Sequence, residues 1–167
     1  MQVLVRHGGL EDLARFTERL EEAGSWLWSR EIRQREPGSH RSQRQRMARW
    51  IERGALLLRD CEDQTIGGCI LIREQPQLWE ERPEPATYFH KLAIGNGYRG
   101  SSLSRAIIEA AERWTTAHSL DRLRLNCWNG NTALHSLYGR LGFEEIADLP
   151  EGDFMLRLFE KSSSEFA

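Results

Sequence analysis

The sequence predicts an α/β (α+β) fold built on a mixed sheet, and three observations carry that prediction. Leu103, Ala106, Ile107, Ala110, Ala111, Trp114 and Ala117 fall on one continuous apolar stripe, a long amphipathic helix. Strand-like stretches flank that helix, Thr87 to Ile94 before it and Leu123 to Cys127 after it, which is the pattern of a crossover. Elsewhere strand patterns follow one another with only turns between them, so neighbouring antiparallel strands join the crossover strands in one sheet.

The elements follow in order. Met1 to Arg6 is a short apolar start that reads as an edge strand. Leu10 to Ala23 is an amphipathic helix, with Leu13, Phe16, Leu20 and Ala23 at spacings of three and four. A tryptophan patch, Trp26-Leu27-Trp28, leads into a basic stretch. Arg30 to Arg53 holds eight arginines against three glutamates, a local excess of +5 that leaves −7 for the rest of the chain. Met47, Trp50 and Ile51 share a helical face there, which predicts a second helix. Ala55 to Arg59 is a short apolar strand, Cys61 to Gln64 a turn, and Ile66 to Ile72 a strand in which Gly67-Gly68 suggests a bulge. Glu74 to Pro85, with three of the five prolines, is a loop.

Thr87 to Ile94 alternates, placing Tyr88, His90, Leu92 and Ile94 on one face and Phe89, Lys91 and Ala93 on the other. Gly95-Asn96-Gly97 is a turn, and the long helix runs from Ser102 to Ala117. After the strand Leu123 to Cys127, Asn131 stands at an N-cap position before a helix whose buried face is Leu134, Leu137, Tyr138 and Leu141. Gly142 ends that helix as a C′ glycine. Phe143 to Ala147 and Phe154 to Phe159 are the last strands, which gives the order β-α-α-β-β-β-α-β-α-β-β.

A length of 167 residues predicts one domain over 1–167. Hydrophobic residues at 40% supply a core and exclude a disordered chain, and a net charge of −2 argues against general nucleic-acid binding. No apolar run approaches the ~18 residues of a membrane span, and Met1 to Gly9 is not a signal peptide. The three cysteines, Cys61, Cys69 and Cys127, form no CxxC pattern, which predicts a reduced, cytoplasmic setting with neither a disulfide framework nor a metal site.

Two blocks carry chemistry. From Tyr88 to Ala117, a strand and a glycine-containing turn run into a helix N-terminus, where unpaired N–H groups and the helix dipole favour phosphate. Arg99 and Gly100 stand at its entrance, with hydroxyls from Ser101, Ser102 and Ser104. The bland reading of these serines is a helix cap. The second block runs from Leu123 to Phe143 as strand, Asn-Gly-Asn turn, short helix and Gly-Phe exit. Tyr138 lies on the buried face of that helix, where the bland reading is a core aromatic.

Together these blocks resemble the GNAT superfamily of acyl-CoA-dependent N-acyltransferases. In that family an Asn before a short helix and a Tyr seven residues later precede a Gly-Phe exit, here Asn131, Tyr138, Gly142 and Phe143. Its signature [Gln/Arg]-x-x-Gly-x-[Gly/Ala] after the fourth strand falls on Arg99-Gly100-Ser101-Ser102-Leu103-Ser104, in register with Leu92-Ala93-Ile94. Ser102 and Ser104 stand where the family carries small glycine or alanine residues; each adds a hydroxymethyl group that can donate to phosphate.

The resemblance implies a sheet splayed between its fourth and fifth strands, with helices on both faces. It implies acetyl-CoA as cosubstrate, its pantetheine amides paired with the backbone of Leu92, Ala93 and Ile94. The pyrophosphate would rest on N–H groups from Arg99 to Ser104, Leu103 included. A backbone donor near Leu92 would stabilise the oxyanion as an amine attacks the thioester. Tyr138 would hydrogen-bond or protonate the leaving thiolate, and Asn131 would bond the cofactor, cap its helix, or both. His90, with an ordinary pKa near ~6.5, would deprotonate the amine, or sit half-buried and shape the acceptor pocket. His7, His40, His118 and His135 read as surface. The Arg30 to Arg53 stretch is either a solvated helix face or the acceptor side of the site.

The function implied is acetylation of a primary amine on a small molecule or peptide, with no nucleic acid, membrane or metal partner and with room for a homodimer. A non-catalytic acyl-CoA-binding module, motivated by the two serines, is the alternative. A nucleic-acid binder built on the arginine stretch fits the net charge and the absent aromatic-basic interleaving poorly.

Overall fold

A computed structural model describes residues 4–100 and 102–167. Its seven strands form one sheet in the order β1-β2-β3-β4-β5-β7-β6. Two compact units divide the chain, Met1–Ile72 with Phe89–Ala111 and Arg73–Tyr88 with Glu112–Ala167. The strand β4 (Thr87–Ile94) and the helix α4 (Leu103–Ala117) each contribute residues to both.

The first unit is an antiparallel meander of β1 (Arg6–Gly8), β2 (Ala55–Cys61) and β3 (Gln64–Ile72) with helices on both faces. The faces are read from two adjacent glycines of β3. A side chain at Gly68 would collide with Phe16 of α1 (Leu13–Ser29), whereas one at Gly67 would meet Leu103 and Ile107 of α4. Successive strand residues point to opposite faces, so α1 and α4 cover opposite sides. These glycines therefore give space for close helix packing. The bulge lies one residue earlier: Arg59 pairs with Gly67 and Asp60 with Thr65, leaving Ile66 as the extra residue.

Three boundaries differ from the sequence expectation. The edge strand expected at Met1 to Arg6 begins only at Arg6, with Leu4 exposed and residues 1–3 outside the described residues. Arg6 is fixed there by ion pairs to Asp12 and Asp60. The first helix starts at Leu13 after a 3-10 turn over Leu10–Asp12 and runs on to Ser29 through the tryptophan patch. Nothing in Gly24 to Ser29 breaks it until Glu31 turns left-handed, with φ of 63°. Its buried face is the expected Leu13, Phe16, Leu20 and Ala23. The basic stretch holds a short α2 (Ser39–Ser42) and then α3 (Arg44–Arg53), anchored by Met47 and Ile51.

The second unit places β5 (Arg122–Trp128) parallel to the start of β4, Thr87 opposite Leu123 and Tyr88 opposite Arg124. On its other edge β5 pairs antiparallel with β7 (Phe154–Ser162), which pairs with β6 (Glu144–Glu151). Leu123, Leu125, Phe159 and Trp79 form its core, the last from a 3-10 turn in the proline-rich loop. Arg124 is buried among them. It donates to Glu160 at 2.7 Å, Glu84 at 3.0 Å, the Tyr88 hydroxyl at 3.2 Å and the carbonyl of Arg82 at 2.9 Å. Lys161 and Glu112 form a second buried ion pair at 2.6 Å. Cys69 and Cys127 are buried and Cys61 is exposed, all three as free thiols.

Candidate active site

In the first unit the site begins on β4. Lys91 interrupts the expected alternation: its φ is 60°, the left-handed region that a non-glycine residue occupies only under constraint. Residues 87–89 are buried in succession, as are 93 and 94, whereas His90, Lys91 and Leu92 are half-buried. The two-face pattern expected for β4 therefore fails at Lys91. Its Nζ donates to Gln43 Oε1 at 2.9 Å and lies 3.5 Å from His40 Nδ1, contacts that hold the distortion.

Beyond β4, Gly95 N–H donates to the bulged Ile66 carbonyl at 2.8 Å, and Asn96 N–H to Glu22 Oε1 at 2.6 Å. Arg99 then lies over the Trp26 ring at 4.1 Å and donates to Asn96 Oδ1 at 2.8 Å. Arg30 stacks on the same indole at 4.4 Å. Arg99 Nε is buried without a hydrogen-bond partner. Burial pulls the Arg99 pKa below its ordinary value, Glu22 opposing and Arg30 adding repulsion.

Gly100, with φ of 73°, makes the left-handed step that brings the chain to α4. Ser101 lies outside the described residues. Ser102 is exposed and its carbonyl accepts from Ala106 N–H at 3.0 Å, while Ser104 is half-buried. Leu103 packs beneath Gly67 with 4% exposure, so it has only its backbone to offer a ligand. A buried arginine donor lacking an acceptor, next to a helix N-terminus, suits a phosphate oxygen. The residues present thus fit the pyrophosphate of a coenzyme A.

In the second unit, Asn131 and Gly142 bracket α5 (Thr132–Arg140). Asn131 Oδ1 accepts from Leu134 N–H at 3.2 Å with its side chain buried, so the capping role is met. At the other end Gly142 has φ of 88°, Phe143 N–H donates to the Tyr138 carbonyl at 3.0 Å, and Gly142 N–H donates to that of Gly139 at 3.1 Å. This is a Schellman motif with Tyr138 at C3 and Phe143 at C″. The Tyr138 ring packs 5.8 Å from Phe143 and 5.3 Å from Phe159, 3% exposed. Asn131, Tyr138, Gly142 and Phe143 are thus one capped helix, and the Gly-Phe exit fixes where Tyr138 stands.

His90 keeps the half-buried place that was one of its two expected settings, and the surface expectation for His40 is corrected. His90 stacks on Trp50 at 4.7 Å with Nε2 buried and partnerless. Burial, with Lys91, Arg46 and Arg35 nearby, pushes its pKa down to about 3, far from the ordinary imidazole value. His40 is not a surface residue: it is buried, and burial and Lys91 lower its pKa to about 4. Sequence reasoning missed Lys91, Gln43 and the Trp26–Arg99 stack. The one available signal was scarcity, since Lys91 and Lys161 are the only lysines among 23 basic residues. Among the described residues no group of His, Cys, Asp or Glu could hold a metal, and no helix is long and apolar enough to cross a membrane.

A mixed sheet with a parallel β4–β5 pair, a phosphate-suited turn into α4 and a capped Asn-to-Gly-Phe helix are the features of an acyltransferase fold. The profile of the acetyltransferase (GNAT) family matches residues 20–143, and the chain belongs to that family. An uncharacterized N-acetyltransferase of Bacillus subtilis, YesJ, is 27% identical over 106 residues, 60% of this chain; the match spans 57% of that protein's length.

Solved structures share the fold. A GNAT-family acetyltransferase of Listeria monocytogenes superposes with a TM-score of 0.73 at 22% identity, covering 95% of this chain and 94% of its own. The PaiA N-acetyltransferase of Thermoplasma acidophilum, in complex with coenzyme A, gives 0.73 at 17% identity, covering 97% and 99%. The yncA protein of Salmonella typhimurium, with its cofactor acetyl-CoA, gives 0.71 at 14% identity, covering 98% and 95%.

Proposed function

We propose that this chain, as a single N-acetyltransferase domain, moves an acetyl group from acetyl-CoA to a primary amine by direct attack. The observation that carries this reading is Arg99, stacked on Trp26 with a buried donor lacking an acceptor at the entrance to α4. Arg99 and the backbone from Gly100 to Ser104 hold the pyrophosphate, with Ser102 and Ser104 hydroxyls as added donors. Leu92, Ala93 and Ile94 offer main-chain groups to the pantetheine arm, as a paired strand would. Acetyl-CoA supplies an acetyl group activated as a thioester.

A main-chain N–H near Leu92 polarises the reacting carbonyl. Tyr138 donates its hydroxyl proton to the departing sulfur, the acceptor nitrogen's surplus proton leaves to solvent, and the phenolate regains a proton from solvent. His90, neutral and weakly basic, shapes the acceptor side of β4 instead of taking that proton. Asn131 orients α5 through its cap. Acetyl-CoA consumption across a panel of amines tests the reading, together with Tyr138→Phe on the best acceptor. A catalytically weak acyl-CoA-binding module is the second reading, favoured by the core packing of Tyr138. Stabilisation by acetyl-CoA without turnover of any amine would select it.

A further inference from the structure

We propose that the acceptor of this enzyme carries an anionic group, a carboxylate or a phosphate, bound by Lys91, Arg46 and Arg35 beside His90. The inference rests on the acetyltransferase reading above and adds the acceptor's class. It starts from a charge imbalance in the first unit. Lys91 on β4 reaches Gln43 and His40 of the α2–α3 segment, and Arg35 and Arg46 stand close enough to repel its charge. Arg46 lies 4.8 Å over the Trp50 ring, which stacks in turn on His90. Two arginines and a lysine therefore gather around two neutral imidazoles.

The counter-charge is already committed. Glu21, a carboxylate that opposes the lowering of the Lys91 pKa, accepts from Gly38 N–H at 2.7 Å and Arg41 N–H at 2.8 Å. Neither Arg35 nor Arg46 has an ion-pair partner among the described residues. His90 Nε2 adds a buried ring nitrogen with no partner. Lys91 is half-buried with the exposed Arg35 and Arg46 near it, and an oxyanion accepting from Lys91, an arginine and the imidazole would supply the counter-charge they lack.

The neighbourhood of Lys91 agrees. Burial, with Arg35 and Arg46 adding and Glu21 opposing, lowers its pKa to about 7, so an arriving anion would draw a proton onto it. Leu92, next along β4, is where the acetyl group is proposed to lie. An anion at Lys91 would hold the acceptor within reach of that position. A polyamine would put a second cation where the protein has already collected two arginines and a lysine.

The test compares matched acceptors by acetyl-CoA consumption: amino acids against their carboxamides and decarboxylated amines, and 2-aminoethyl phosphate against 2-aminoethanol, with spermidine added. The anionic members should show kcat/KM higher by about tenfold or more. Lys91→Met should collapse that preference, and so should the double variant Arg35→Ala/Arg46→Ala, whose exposed positions do not endanger folding. Equal or better turnover of neutral amines or spermidine overturns the proposal. If no amine is acetylated the reading of the function fails instead, and binding then decides this site. Calorimetric titration of glutarate and inorganic phosphate into the protein at pH 8 should show saturable binding with proton uptake, both lost in Lys91→Met. Absence of binding up to tens of millimolar overturns the anion site.

Discussion

Replacing Arg124 by methionine removes the hub of the second unit while keeping a chain of similar length. The arginine side chain is 1% exposed, and its partners differ sharply: Glu160 is 16% exposed and Glu84 48%. Water can serve Glu84, so its share of the loss is small. Glu160 is left as a nearly buried carboxylate whose partner has gone, and breaking such a pair costs about 3–5 kcal/mol. The Arg82 and Glu84 carbonyls and the Tyr88 hydroxyl also lose a donor. A net loss of about 4 kcal/mol is expected, or roughly 8–16 °C in Tm for a chain of this size. Thermal melts followed by circular dichroism measure it. The double variant Arg124→Met/Glu160→Gln should be less destabilised than the two single changes added together, because the stranded charge has been removed. A drop below about 1 kcal/mol in Arg124→Met would refute this account.

Three further outcomes are expected. Tyr138→Phe retains the packing against Phe143 and Phe159 and should lower kcat by roughly 10²-fold or more; kcat within threefold of the parent would assign the ring to packing alone. Trp26→Ala takes away the surface on which Arg99 rests, and the Kd for acetyl-CoA should rise by about five- to thirtyfold by calorimetry, matching about 1–2 kcal/mol of cation–π and ordering energy. His40 and His90 are held neutral when folded, with pKa values of about 4 and 3, and regain ordinary values on unfolding. The unfolded state binds more protons below about pH 6.5, so stability falls as pH drops through that window. His40→Gln should flatten the fall in Tm between pH 7 and pH 4, and an unchanged slope would contradict the lowered pKa.

The architecture was legible because the patterns that carry it are local. The stripe from Leu103 to Ala117 and the cap residues Asn131 and Gly142 each declare an element within fifteen residues. What escaped depends on contacts between distant segments. Lys91 occupies a left-handed conformation inside a strand because Gln43 and His40, some fifty positions away, hold its side chain. No alternation rule contains that information. His40 looked like a surface residue because the short helix bearing it has no apolar period, although the ring is buried. Of the candidate site, the Arg99 entrance and the α5 motif were readable from spacing. The stacking of Arg99 on Trp26 was not, since an aromatic patch some seventy residues upstream has no spacing relation to the turn.

The distribution of thiols bears on how turnover can be measured. Burial raises the Cys69 pKa well above its ordinary value and pushes that of Cys127 up to about 12, so both sulfurs stay protonated and shielded. Cys61, at the exposed end of β2, is the one sulfur open to a disulfide or maleimide reagent. An assay that follows released coenzyme A with a chromogenic disulfide will therefore begin with a burst of one equivalent per chain from the enzyme itself. Cys61→Ser should abolish that burst, and the native cysteine offers a single attachment point for a fluorophore without further engineering.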